Sequence, residues 1–231
     1  MMFFFRRFKY FFKIVPFLIF ATMITHVFAE DVELSEAHKL LVKKNHLGNL
    51  TTPIKLKYIF KKTGSLEANF NDRVIMIVPK KDNEGYHNIK FDFFSGYHKE
   101  DLSSARYKTT NPIFHAFWDY DIKVMMRLTK GSSVYFRKRI TWSLSDEKKF
   151  NIKTAKCTYN NEKFDGHKIE HIPYEQDYDS RKFKKFAKKK YFITICDKIP
   201  GMIYEIETII PAEDEKKPLI KETLTLQKII N

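Results

Sequence analysis

The chain has 231 residues and a formal net charge of +14, from 42 basic and 28 acidic side chains. Seven glycines and eight prolines exclude a fibrous or low-complexity protein, and 43% hydrophobic residues supply core enough for one domain. The positive charge attracts anionic surfaces, although lysines spread over a surface also serve plain solvation.

The opening MMFFFRRFKYFFKIVPFLIFATMITHVFA holds four cations, Arg6, Arg7, Lys9 and Lys13, and no acid. An uncharged run from Ile14 to Ile24 follows, and Val27 and Ala29 hold the small-residue positions before a cleavage point. This order is that of a secretory signal peptide over 1–29, leaving a single domain over 30–231. A spanning helix needs about 20 apolar residues, and Pro16, Thr25 and His26 interrupt this shorter stretch. The expected mature chain is soluble, periplasmic or secreted, and keeps 38 basic against 28 acidic residues.

ELSEAHKLLVKKN reads as a short helix with Ser35 as N-cap. IKLKYIF (54–60) alternates with period two, RVIMIVP (73–79) is an apolar β-branched run, and HNIKFDFFSG alternates Ile89, Phe91 and Phe93. These make an antiparallel meander. The period then changes. NPIFHAFWDYDIKVMMRLTKG opens with Asn111 and Pro112, closes at Gly131, and aligns Ile113, Phe117, Tyr120, Val124 and Leu128 on one helical face. SSVYFRKRITWSL repeats Phe136, Ile140 and Leu144 at helical spacing after Ser132 or Ser133, which gives a helical hairpin at about 111–145. FNIKTAKCTY and FDGHKIEHIPY flank an Asn160-Asn161 turn, and three further strands end the chain. The expected class is α+β: a curved antiparallel sheet with an N-terminal helix and an inserted helical hairpin packed on it.

HKIEH (167–171) matches the H-x-x-E-H pattern of inverted zinc peptidases. That chemistry needs a helix, where residues four apart share a face. The segment lies between Gly166 and Pro173 in a strand-length window, and four strand residues span about 13 Å, so the two histidines cannot share a metal. Asp119 and Asp121, two apart on a helix, face different ways, and Glu205 and Glu207 suit an exposed sheet face. Neither a G-x-S-x-G elbow nor a phosphate loop is present, so the expectation is no enzyme, no metal and no cofactor. Cys157 and Cys196 are candidates for one disulfide in an oxidising compartment, or for two buried thiols.

The segment SRKFKKFAKKKY sets Arg181, Lys182, Lys184, Lys185, Lys188, Lys189 and Lys190 around Phe183 and Phe186. This is the pattern of an interfacial helix at an anionic lipid surface, and equally of a solvated surface helix. Phe91, Phe93, Phe117, Trp118 and Met125 are candidate lining for an apolar ligand and suit a packed core as well. Two functions follow. One is a non-enzymatic cell-envelope protein that binds a lipid or other apolar ligand. The other is a secreted interaction or effector protein that uses its basic face on a protein partner or an anionic membrane. Export removes most nucleic-acid partners; oligomeric state stays open.

The layout of NPIFHAFWDYDIKVMMRLTKGSSVYFRKRI, YFITICDKIPGMIYEIETIIP and LIKETLTLQKI resembles a group of uncharacterised exported proteins of rhizobial-type alphaproteobacteria, across most of the expected mature chain. More loosely, a leading helix on a curved antiparallel sheet is similar to the lipoprotein-carrier half-barrels of the periplasm and to domain-of-unknown-function relatives. That resemblance implies an apolar concavity that holds acyl chains; the inserted hairpin departs from it.

Overall fold

The computed structural model describes residues 34–144, 146, 149–175, 183–213 and 217–230. The expected signal segment, together with Arg181 and Lys182, lies outside the described residues. Among the described residues nine strands run β1 (Ile54–Thr63), β2 (Phe70–Val78), β3 (His87–Phe93), β4 (Ala105–Tyr107), β5 (Phe150–Tyr159), β6 (Glu162–His171), β7 (Lys190–Ile195), β8 (Ile203–Ile210) and β9 (Ile220–Ile230). They form one open antiparallel sheet in the order β4-β3-β2-β1-β9-β8-β7-β6-β5. The antiparallel pairing of β1 with β9 joins the first and last strands, and so makes one sheet of what the sequence presents as separate hairpins.

The helical part is small. A single α-helical turn, α1 (Glu36–His38), continues as a π turn over Lys39–Lys43; α2 (Ile113–Thr129) and α3 (Ser133–Ser143) follow β4. The expected α+β class is therefore overturned: the described residues are dominated by one nine-stranded sheet to which short helices are added. The leading helix shrinks because the segment 36–43 fully buries only Ala37 and Leu41, too narrow a stripe to hold further turns. Ser35 caps it as expected, accepting from the His38 amide at 3.0 Å.

Side chains also set the bounds of α2 and α3. Asn111 precedes α2; its Oδ1 accepts from the Ile113 amide at 3.0 Å while its Nδ2 donates to Gly201 O at 2.8 Å. The start of the helix is thereby fixed to the turn between β7 and β8. At the other end Lys130, rather than Gly131, holds the left-handed position, at φ 59°. Ser132 then caps α3 by accepting from the Tyr135 amide at 3.2 Å.

Period two puts Leu56, Tyr58 and Phe60 of β1 on the same buried face as Val74, Met76 and Val78 of β2. Cross-strand register extends this face as a row of Phe60, Leu224, Ile206, Ile193 and Ile169. The next row on the same face is polar: Lys62, Glu222, Thr208, Tyr191 and His171, all of them buried.

The helix α2 lies over that polar row and supplies what it lacks. Tyr120 donates to Glu222 Oε1 at 3.0 Å, and Thr208 donates to Glu222 Oε2 at 3.3 Å. Tyr191 donates to Asp121 Oδ2 at 2.6 Å and accepts from the Tyr174 hydroxyl at 3.0 Å. Lys189 forms an ion pair with Asp121 in which both side chains are 0% exposed. Burial pushes the Glu222 carboxyl above its ordinary pKa, and the nearby Lys189 pulls it back.

Cys157 of β5 and Cys196, which follows β7, are joined by a disulfide with Cα atoms 6.4 Å apart. The bridge crosses β6 at Gly166, where a Cβ would overlap both the Cys196 sulfur and the Ile195 carbonyl oxygen. Only glycine leaves that path open.

Asp121→Ala strands a buried lysine and removes the acceptor of Tyr191. We expect a loss of about 3–5 kcal/mol in urea unfolding, with most of it recovered in the volume-matched double variant Asp121→Leu/Lys189→Met.

Candidate functional site

A two-lobed cleft follows the flank of α2. One lobe, of 480 Å³, is walled by Phe91, Leu102, Ala116 and Met126 with Ser103 and Ser133. The other, of 510 Å³, is walled by Val42, Trp118, Ile140, Thr141 and Leu144. Tyr107, His115, Asp119, Ile122 and Arg137 line both, so the lobes meet at a polar waist. Each volume lies in the range of small-molecule sites, about 300–1,000 Å³.

The waist follows from helical spacing on α2. His115, Asp119 and Ile122 fall at i, i+4 and i+7, one stripe of the helix. Asp119 receives Arg137 of α3 at 2.9 Å, an ion pair with both side chains partly open to water. The His115 ring packs against Phe114 at 4.1 Å, Trp118 at 5.8 Å and Tyr107 at 6.0 Å. Burial lowers its pKa to about 4, against the opposing pull of Asp119, so the imidazole is neutral at pH 7.

Trp118 stands out chemically. It is 7% exposed, and its Nε1 is buried with no hydrogen-bond partner. A buried donor left unpaired costs about 1–3 kcal/mol. Here it belongs to a residue that lines the apolar lobe. What the cleft presents is therefore apolar wall and the remaining N–H groups of Arg137, the indole N–H of Trp118 being itself shut off from solvent.

A second groove, of 530 Å³, lies beyond the other flank of α2, between Lys62, Phe70, Tyr97, His98 and Arg127. Its charges are already used within the chain. Lys62 and Arg127 both pair with Glu67, and Lys123 pairs with Glu100. The Arg127 hydrogen bond is the largest influence that holds the Glu67 carboxyl down to about 2.

Of the residues proposed from sequence as apolar lining, Phe91 and Trp118 line the cleft. Phe93, Phe117 and Met125 are 0% exposed and belong to the core under α2. The basic segment forms a 3-10 turn, Lys184–Lys188, not an α-helix. Lys184, Lys185 and Lys188 face solvent, Lys190 pairs with Glu170 at 3.4 Å, and Lys189 is buried on Asp121. Lys189 is thus unavailable to any anionic surface.

HKIEH lies in β6, which runs through Gly166 and ends at His171, two residues before Pro173. His171 is buried, stacked on Phe150 at 4.6 Å, with Nε2 2.5 Å from Ser143 Oγ. The Ser143 hydroxyl donates to the carbonyls of Arg139 and Ile140 at 2.7 and 2.8 Å, so His171 donates to the serine. That polarity is the reverse of what a general base needs. Among the described residues, no group of three or more His, Cys, Asp or Glu is placed to hold a metal ion. Glu207 is satisfied by Lys221 at 2.6 Å and Lys168 at 3.3 Å, and Glu205 accepts from Thr225 at 3.0 Å. No described helix is long and apolar enough to cross a membrane.

Sequence reasoning missed His115, Asp119 and Arg137 as a group, and Tyr107 and Leu102 with them. Asp119 and Arg137 meet only because the turn at 130–132 folds α3 back beside α2. A helix-to-helix contact of this kind leaves no periodic trace.

No protein-family model and no curated protein matches the chain. Among solved structures it is similar to a DUF1329 family protein from Desulfovibrio piger ATCC 29098, at 10% identity over 84% of this chain and 90% of that one, with a TM-score of 0.27. It is also similar to a LolA superfamily protein from Nitrosomonas europaea, at 7% identity over 84% and 92%, with a TM-score of 0.21. Such names accompany the looser, fold-level resemblance; no sequence match accompanies the rhizobial one. TM-scores this low carry no argument, and the function is argued from the chain's own side chains.

His171 gives the fold an acid limit. Burial lowers its pKa to about 3, whereas a histidine in the unfolded chain titrates near 6.5. Between those values only the unfolded chain takes the proton, so stability present above 6.5 is lost as the pH falls toward 3. Urea unfolding at pH 7 and pH 5 should show His171→Gln losing about 2 kcal/mol less over that interval than the parent.

Proposed function

We propose that this chain is an exported, non-enzymatic binding protein of the cell envelope whose cleft along α2 takes a single-chain amphiphile. The tail would occupy the lobe of Val42, Trp118, Ile140 and Leu144, and the head would lie at the waist of His115, Asp119 and Arg137. One observation carries the reading: an apolar lobe walled by Val42, Trp118, Ile140 and Leu144 opens onto an arginine with donors to spare. Tail burial supplies affinity at roughly 25 cal/mol per Å², and an anionic head pairs with the Arg137 guanidinium at the waist.

A non-catalytic role is supported by the state of the other polar groups. Glu222, Asp121 and Glu207 are engaged by neighbouring residues, and His171 is a donor to Ser143. His115 is packed among the rings of Tyr107, Phe114 and Trp118. Export is supported by the basic-then-apolar opening of the sequence and by the disulfide, which suits an oxidising compartment.

The test is fluorescence titration with 11-(dansylamino)undecanoic acid, followed by displacement with dodecanoate. We expect saturable binding in the micromolar range, weakened roughly tenfold by Thr141→Trp, which fills the tail lobe from an exposed position. Absence of saturable binding, or equal binding by Thr141→Trp, would overturn the reading.

A further inference from the structure

We propose that the outer face of α3 docks on an anionic lipid bilayer. Six large hydrophobic residues are conspicuously exposed among those described, and two of them, Val134 (61%) and Trp142 (59%), share α3 at i and i+8. Between them, at i+4, is Lys138, whose Nζ lies 5.6 Å from the centroid of the Trp142 ring. Helical spacing places Val134, Lys138 and Trp142 on one solvent-facing stripe, with Arg137 and Thr141 beside it. The opposite face of α3 is spent on the core through Phe136 and Ile140.

Charge selects the occupant. The helix α3 contains no acid; Lys138 stands exposed on the stripe, while Arg137 beside it is paired with Asp119 and Arg139 is partly buried. Phe183 packs on Tyr135 at 5.0 Å and on Phe136 at 5.3 Å, which brings the exposed Lys184, Lys185 and Lys188 alongside the first turns of α3. A second copy would set this cationic face against itself, since a two-fold interface pairs a patch with its own copy. A bilayer bearing anionic headgroups meets the cations without repulsion. Its interfacial zone accepts a tryptophan ring, and the lysine stem lies along the apolar boundary with its charge in the headgroups. At 11 residues, α3 is suited to lie on such a surface and not to cross it.

This docking stands independently of the cleft reading. The two have a wall in common, because Arg137 and Thr141 flank the exposed stripe and also line the cleft. A protein seated on α3 would present the cleft at the lipid surface.

The test is co-sedimentation of the full chain with phosphatidylcholine vesicles, with and without phosphatidylglycerol, together with quenching of tryptophan emission by brominated acyl chains. Of the two tryptophans in the chain, Trp118 is buried against the cleft and Trp142 exposed, so the quenching that is lost in Trp142→Phe reports on α3. We expect binding to the anionic vesicles alone, weakening with salt, with quenching that disappears in Trp142→Phe. Trp142→Ser and Lys138→Glu should each reduce partitioning roughly fivefold or more while circular dichroism is unchanged. Parental binding by both variants would overturn the proposal, as would binding without quenching, or a concentration-dependent dimer that buries Trp142 and ignores vesicles. So would loss of binding only on reversing Lys184, Lys185 and Lys188, since that would place the contact on the basic turn alone.

Discussion

The ion pair of Lys189 with Asp121 is the constraint around which this molecule is arranged. Two opposite charges without solvent exposure are tolerable only in good geometry with their remaining valences met. Tyr191 satisfies the second oxygen of Asp121, and Tyr174 satisfies Tyr191. That chain of bonds fixes the rotation of α2 about its own axis. With Asp121 turned to the sheet, Tyr120 reaches Glu222 while His115, Asp119 and Ile122 are turned toward the cleft. The depth of the helix over the sheet is fixed as well, and with it the burial of Phe117 and Met125.

The functional consequence is a displaced cavity. A bare antiparallel sheet of this size has a face open to an apolar guest, but here α2 occupies it and the polar row of Lys62, Glu222, Thr208 and Tyr191 is sealed beneath. What stays open lies at the flank, where the loop after β3, the strand β4 and the turns after Ser35 approach without filling the space. The cleft is therefore shaped by two helices and an edge strand. Its single unpartnered buried indole belongs to the same helix that anchors the core.

Much of the sheet was legible in the sequence, because a strand with one dry face writes its alternation directly: Leu56, Tyr58 and Phe60 follow period two with little ambiguity. The hairpin at Asn160-Asn161 was equally plain, since both residues take positive φ and asparagine tolerates it. The class was misjudged because β1 and β9 lie at opposite ends of the chain and nothing in either announces the other. The edge strand β4 is three residues long and below any periodic signal.

The site was harder to read than the fold. Lys189 looks like one more member of a cationic run, and only the placement of Asp121 shows that it is buried. Phe93, Phe117, Trp118 and Met125 are indistinguishable by type, yet one lines a cleft and three fill the core. The difference is rotational position against a tertiary neighbour. The central claim, that the cleft holds an amphiphile, is tested most directly by native mass spectrometry of the protein purified from an exporting host without added ligand. A bound mass in the range of a single-chain lipid, lost in Thr141→Trp, is the predicted result; a clean apo-protein under gentle ionisation would contradict it.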